Sequence, residues 1–160
     1  MAQKNHYYIA YGSNLNLAQM KMRCPTAKVI GTALLNNWEL LFKGSKTGSY
    51  LTIEPKAGCI VPVVVWEITP EDENALDRYE GYPIFYYKKK IKVTCKISET
   101  GSSKCINTFA YIMHEERAIG MPTAAYMSTC IEGYKSFCFD ENTLIEAYNK
   151  SLEVCRNGKK

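Results

Sequence analysis

Polar and apolar residues alternate most clearly in the middle of the chain. From Tyr87 onward, Tyr87, Lys89, Ile91, Val93, Cys95 and Ile97 fall on one face. Lys88, Lys90, Lys92, Thr94 and Lys96 fall on the other, the period of a strand with one buried and one wet side. Cys105–Met113 reads as the strand that returns after a turn over Ser98–Lys104, where Gly101 sits among serine and threonine. Earlier, Tyr7-Tyr8-Ile9-Ala10-Tyr11 is rich in strand formers and stops at Gly12. Strand-like segments follow over Lys28–Asn36, Trp38–Lys43, Tyr50–Ile53 and Gly58–Ile68, the first two read as a hairpin turning through Asn36-Asn37.

Helical spacing appears in four places. Leu17, Met20 and Met22 predict a short helix capped by Asn14 or Asn16 and ended by Pro25. Thr69-Pro70-Glu71-Asp72 combines an N-cap residue, proline in the first turn and acids where the helix dipole favours them. That helix is predicted to run to about Tyr79, with Gly81 as its terminator. Two more are predicted over Thr123–Ser136 and Glu141–Glu153, with Asp140 capping the second. Strands predominate, one helix is interposed, and helices close the chain. No repeated βαβ unit appears, so the pattern predicts an α+β domain with a mixed, mostly antiparallel sheet rather than a doubly wound nucleotide-binding fold.

Length and composition narrow the class. At 160 residues, residues 1–160 are expected to form a single domain able to bury a core without staples. The longest apolar run, Cys59–Trp66, is interrupted by Pro62 and falls far short of a bilayer span. Met1-Ala2-Gln3-Lys4-Asn5-His6 has no apolar signal-peptide core, so a cytoplasmic protein that binds no membrane is expected. Net charge is only +4, and much of the excess lies in Lys88-Lys89-Lys90 and at Lys159-Lys160, which argues against a nucleic-acid partner. The seven cysteines include no Cys-x-x-Cys pair, and His6 and His114 are far apart. The expectation is therefore no metal, with reduced and mostly packed thiols.

Three segments carry candidate chemistry. Tyr8-Ile9-Ala10-Tyr11-Gly12-Ser13-Asn14 is a strand that ends in a glycine turn and feeds a helix. Such an end points backbone N–H groups outward and suits a carboxylate or developing oxyanion, although it also serves as an ordinary strand-to-helix turn with asparagine as cap. Glu80, before Gly81, sits at the carbonyl end of its predicted helix among Tyr79, Tyr82, Phe85 and Tyr86. The dipole and burial both raise a carboxyl pKa there, towards the range of a general base near neutrality; a solvent-facing glutamate at a frayed end is the alternative. Pro122-Thr123-Ala124-Ala125-Tyr126 opens a helix whose tyrosine can either orient a ligand or pack in the core.

Together, Tyr8-x-Ala10-Tyr11-Gly12-Ser13-Asn14-Leu15, Leu76-Asp77-x-x-Glu80-Gly81 and Pro122-Thr123-x-x-Tyr126 resemble the γ-glutamylcyclotransferase-like family, which includes avirulence-induced-gene-like and butirosin-biosynthesis relatives. The resemblance spans about Tyr7 to Tyr148. It implies a small β-barrel flanked by helices, no cofactor, and release of 5-oxoproline from a small-molecule γ-glutamyl substrate. By the same resemblance, Tyr8, Ile9, Ala10, Tyr11, Gly12 and Ser13 form the substrate-binding loop, Glu80 is the catalytic acid/base, and Tyr126 contacts the ligand. Asn14 is given a cap or loop-shaping role. Thr123 replaces the family's usual serine and keeps its hydroxyl. Larger relatives that act on γ-glutamyl amino acids carry more chain after the last helices, which leaves the substrate open. A γ-glutamylamine cyclotransferase, a natural-product deprotecting enzyme, a non-catalytic module for a small amide or carboxylate, and a basic module using Lys88–Lys96 stand as alternatives. A homodimer stands as an open assembly.

Overall fold

A computed structural model describes residues 4–45 and 48–157. The beginning of the stretch read for a signal peptide (residues 1–3) and the basic Lys159-Lys160 end lie outside the described residues. Five strands close into a barrel: β1 (His6–Ala10), β2 (Lys28–Lys43), β3 (Tyr50–Ile68), β4 (Tyr86–Ile97) and β5 (Ser103–Met113), in the order β1-β3-β2-β4-β5. The pairings are antiparallel except where β5 meets β1, with Tyr8 beside Phe109. The helices are α1 (Leu17–Arg23), α2 (Pro70–Glu80), α3 (Ala124–Ser136) and α4 (Asn142–Asn157), and a short 3-10 turn covers Ser13–Leu15. No helix among the described residues is long and apolar enough to cross a membrane.

The expected hairpin through Asn36-Asn37 does not form. Lys28 to Lys43 is one strand, paired along its length with β3 from Lys28–Glu67 to Lys43–Tyr50. Asn37 adopts φ 66 and the register shifts between Asn36 and Trp38, so the asparagine pair makes a bulge that bends the strand. Asparagine tolerates the left-handed region, which is why the same residues resemble a hairpin turn. Its side chain accepts from the Gly58 N–H at 3.1 Å, opposite a glycine at φ 86. Tyr50–Ile53 and Gly58–Ile68 are correspondingly one strand rather than two. Pro55 and Pro62 fit within it because β1 covers only Val64–Ile68 on that edge, so their missing N–H groups interrupt no ladder there.

Caps fall where the residue types place them. Thr69 and Asp72 form a reciprocal capping box on α2, and Gly81 ends that helix at φ 64. Asn16, rather than Asn14, caps α1 by accepting from Gln19 N–H at 3.1 Å. Asp140 accepts from Asn142 N–H at the start of α4. Along β4 the alternation holds at Val93 and Cys95, which are buried, with Lys92, Thr94 and Lys96 exposed. At its first residues the faces exchange: Tyr86 is buried, Lys89 is exposed, and Lys88 is half-buried. The Lys88 ammonium lies 2.7 Å from Glu73 and 2.9 Å from Asp77, both on α2, so this lysine belongs to a helix–strand seam and not to a wet face. Of the cysteines, Cys24, Cys95 and Cys130 are buried, Cys105 and Cys138 are exposed, and none is bonded to another. The packing expectation therefore holds for three of them.

The barrel seam between β2 and β4 depends on Gly31. A Cβ there would stand 2.0 Å from the Lys96 carbonyl oxygen. A second close approach seats the glycine turn. A Cβ at Gly133 of α3 would stand 2.6 Å from Leu15 Cβ, so the helix backbone rests directly on the 3-10 turn. The end of β1 is thereby fixed against α3, and the C-terminus of α2 faces it.

Candidate active site

A cavity of ≈ 340 Å³ opens where the end of β1, the 3-10 turn, the end of α2 and the start of α3 converge. Tyr8, Tyr11, Gly12, Ser13, Glu80 and Tyr126 all line it, together with Asn14 and a ring of aromatic side chains. Ile9 and Ala10 do not. They are buried in β1, where they serve the core and hold the flanking tyrosines in place. The three segments singled out in the sequence are thus gathered at one site, but the strand interior contributes to it only indirectly.

Backbone groups supply the donor wall. Among the described residues, the N–H groups of Gly12, Ser13 and Asn14 have no protein acceptor, because they begin the 3-10 turn. Ser13 Oγ lies 3.0 Å from the Tyr79 hydroxyl, which ties the turn to α2. A Cβ at Gly12 would meet Leu51 Cδ1 at 3.2 Å and the Tyr126 oxygen at 3.4 Å, so the glycine keeps the turn close to both.

The tyrosines form walls more than they supply acids. Tyr11 donates to the Tyr111 carbonyl at 2.6 Å, and Tyr86 donates to the Leu51 carbonyl at 2.8 Å. Tyr126 accepts from Leu51 N–H at 3.0 Å and packs edge-on against Tyr50 and Phe42. Burial raises the hydroxyls of Tyr8, Tyr11, Tyr86 and Tyr126 well above their ordinary range, and the neighbouring Glu80 charge raises them further. All four stay neutral across the physiological range.

Glu80 is the last residue of α2 and is half-buried, with its remaining access through the cavity. Burial pushes its carboxyl from the ordinary 4.5 up to about 8, against an opposing pull from the Arg23 guanidinium. Asn14 Nδ2 donates to Glu80 Oε1 at 3.4 Å and to the Tyr8 hydroxyl at 2.8 Å. The asparagine read as a cap therefore reaches the acid itself. Arg23 and Asn14 had no local signal of this role, because Glu80 lies 66 positions from Asn14 and meets it only once the barrel closes. Tyr82, expected to help bury the acid, is instead 40% exposed and outside the cavity wall. Among the described residues no group of three or more His, Cys, Asp or Glu side chains is placed to hold a metal ion.

A half-buried carboxyl of raised proton affinity thus shares an aromatic cleft with the residues whose backbone N–H groups are unpaired, an arrangement suited to acid/base chemistry on a small polar molecule. The profile of the family described as gamma-glutamyl cyclotransferase, AIG2-like, matches residues 8–128. The chain is 32% identical over 152 residues to a gamma-glutamylcyclotransferase of Bos taurus, covering 91% of this chain and 76% of that protein. It is 29% identical over 159 residues to the gamma-glutamylcyclotransferase of Homo sapiens, covering 95% and 79%. A solved structure described as a gamma-glutamyl cyclotransferase superposes with TM-score 0.73 at 27% identity, covering 84% of this chain and 80% of that one. The chain belongs to the gamma-glutamylcyclotransferase family, a family of enzymes.

Proposed function

We propose that the protein releases 5-oxoproline from a γ-glutamyl amide by intramolecular attack of the substrate's α-amine, with Glu80 moving the protons. The observation that carries this reading is the position of Glu80: a half-buried carboxyl with an elevated proton affinity, sharing a cavity with the unpaired N–H groups of Gly12, Ser13 and Asn14.

A γ-glutamyl group contains its own nucleophile, so no covalent catalyst is required. The cavity has to fold the chain until the α-nitrogen faces the γ-carbonyl carbon, and a held near-attack geometry removes at most ~7–11 kcal/mol of barrier. The walls of Tyr11 and Tyr126 suit that folding, since their hydroxyls are committed to Tyr111 and Leu51 and their positions are therefore fixed. The N–H groups of the glycine turn are suited to the α-carboxylate or to the oxyanion of the tetrahedral intermediate.

Proton transfer follows from the affinity of Glu80. At about 8 it matches an α-amino group, whose ordinary value is about 8, so the proton passes between them with little driving force either way. Glu80 takes a proton from the α-ammonium, the freed amine closes the five-membered ring, and the γ-carbonyl oxygen becomes negative. The same carboxyl gives that proton to the departing nitrogen as the C–N bond breaks, then takes the second proton from the ring nitrogen so that the lactam is neutral, and passes it to the released amine, which leaves as an ammonium beside 5-oxoproline. Glu80→Gln keeps the shape and removes the shuttle. Its 5-oxoproline release, followed by mass spectrometry across γ-glutamyl dipeptides, γ-glutamyl amines and glutathione, is expected to fall at least about a hundredfold on every substrate the wild type accepts. Near-normal turnover in that variant removes Glu80 from the mechanism, and the wild-type profile across the panel identifies the leaving amine.

A further inference from the structure

Arg23 lies outside the three segments that carry the family resemblance, yet its guanidinium is held at the back of the acid by three partners. It donates to Asn14 Oδ1 through Nη1 and to Gln19 Oε1 through Nη2 at 3.1 Å, the latter one helical turn earlier on α1. Its Cζ lies 3.5 Å from the centroid of the Tyr79 ring, on the residue that precedes Glu80. We propose that Arg23 is a positioning residue for the proton shuttle: it fixes which way the Asn14 amide faces and sets a cation behind the Glu80 carboxyl. The inference rests on Glu80 being that shuttle.

The amide is the first part of the argument. A side-chain amide has a donor end and an acceptor end, and the two occupy nearly the same volume. Arginine has donors and no acceptor, so the atom facing Arg23 must be Oδ1. Nδ2 is then forced towards Glu80 Oε1 and the Tyr8 hydroxyl. Turned the other way, Asn14 would present an oxygen to a carboxylate and an amino group to a guanidinium, both repulsive. With Arg23 in place, the donor faces Glu80 whether that carboxyl holds its proton or has given it up.

The charge is the second part. Groups coupled to Glu80 come from every element around it: Tyr8 on β1, Tyr11 just after it, Tyr79 on α2, Tyr86 on β4 and Tyr126 on α3. All are neutral phenols. Arg78, also at the cavity wall, is exposed to solvent, which screens it. Arg23 is the cation that acts on Glu80, opposing the effect of burial. Without it the carboxylate, already the minor form at neutrality, would be scarcer still, leaving less of it to accept a proton from an ammonium.

Charge and geometry separate in two variants. Arg23→Met removes both, whereas Arg23→Lys retains the cation but cannot serve Asn14 and Gln19 together while lying flat on Tyr79. The Glu80 titration is followed directly, by ¹³C NMR of protein labelled at the glutamate δ-carboxyl, with the Glu80 signal assigned by its disappearance in Glu80→Gln. Arg23→Met is expected to raise the midpoint by about 1 pH unit or more, the effect of losing a nearby opposite charge. Arg23→Lys is expected to leave the midpoint near wild type while kcat falls about tenfold, the effect of an amide no longer held. An unmoved midpoint in Arg23→Met overturns the electrostatic role, and wild-type kcat in Arg23→Lys overturns the orienting one. Should Arg23→Met fail to fold, Arg23→Gln removes the same charge and carries the same reading. A wild-type Glu80 that titrates near its ordinary value would instead overturn the proposed shuttle, whatever the Arg23 variants do.

Discussion

The elevated proton affinity of Glu80 has a consequence for stability that needs no substrate to measure. In the unfolded chain this carboxyl titrates near 4.5, and in the folded protein near 8. Below about pH 4.5 both states hold the proton and the group has no effect. As pH rises from there, the unfolded chain releases its proton and the folded protein does not, so stability falls progressively until about pH 8 and stays reduced above it. A tenfold change in proton affinity is worth about 1.4 kcal/mol, which sets a ceiling of about 5 kcal/mol on the full shift. The side chain opens onto a cavity that admits water, and solvent screening brings the expected effect nearer about 2 kcal/mol. Glu80→Gln removes the ionisation while keeping an oxygen for Asn14 Nδ2. It is therefore expected to be less than about 1 kcal/mol more stable than wild type at pH 5, where the unfolded chain has begun to release its proton, and about 2 kcal/mol more stable at pH 9. For a chain of this size that is a rise in Tm of about 4–8 °C at the higher pH. Calorimetric Tm values of both proteins at the two pH values provide the test. A difference that is the same at pH 5 and pH 9, or that favours the glutamate at pH 9, would show that burial does not govern this carboxyl. Any pH-independent effect of the amide itself cancels in that comparison.

Two glycines extend the test to the scaffold. Gly12→Ala places a Cβ 3.2 Å from Leu51 Cδ1 and 3.4 Å from the Tyr126 oxygen, and Leu51 is too buried to yield freely. Steady-state assays of 5-oxoproline release should show kcat/KM reduced about tenfold with KM raised, alongside about 1 kcal/mol lost in urea unfolding, as mild overpacking predicts; unchanged constants would remove the turn from the site. Gly31→Ala sets a Cβ 2.0 Å from the Lys96 carbonyl oxygen, so β2 and β4 must part at the seam that closes the barrel. A loss of about 3 kcal/mol or more in urea unfolding is expected, and a stability within about 0.5 kcal/mol of wild type would mean that the seam closes differently.

The features legible in the sequence are those whose cause is local. Thr69, Pro70 and Gly81 bound α2 because caps and terminators act within a turn, and locating that helix end places Glu80. Asn36-Asn37 misleads for the same reason. A left-handed asparagine looks identical at a hairpin and at a bulge, and only the partner strand decides which it makes. Long-range closure has no local signature. The parallel meeting of β5 with β1 at Tyr8 and Phe109, and the approach of Gly133 to Leu15, each join distant parts of the chain. Asn14 meets Glu80 and Arg23 meets Tyr79 across similarly long separations, so the sequence around the first shows only a cap candidate and around the second shows nothing.

One misreading shares its cause with the site. The alternation of β4 predicts Tyr87 and Lys89 inward, yet Tyr86 is buried, and Lys88 is drawn to Glu73 and Asp77. A strand keeps a single buried face only while the same layer covers it throughout. At its first residues β4 is covered from the other side by α2, which exchanges the faces. That covering helix ends in Glu80, and Tyr86 forms part of the cavity wall beside it. Glu73 and Asp77 of α2 draw Lys88 to that side of β4, and the end of the same helix shares the cavity with Tyr86. The place where the hydrophobic pattern fails thus borders the cavity, and a local inconsistency of this kind is what a fold built around a functional site is expected to show.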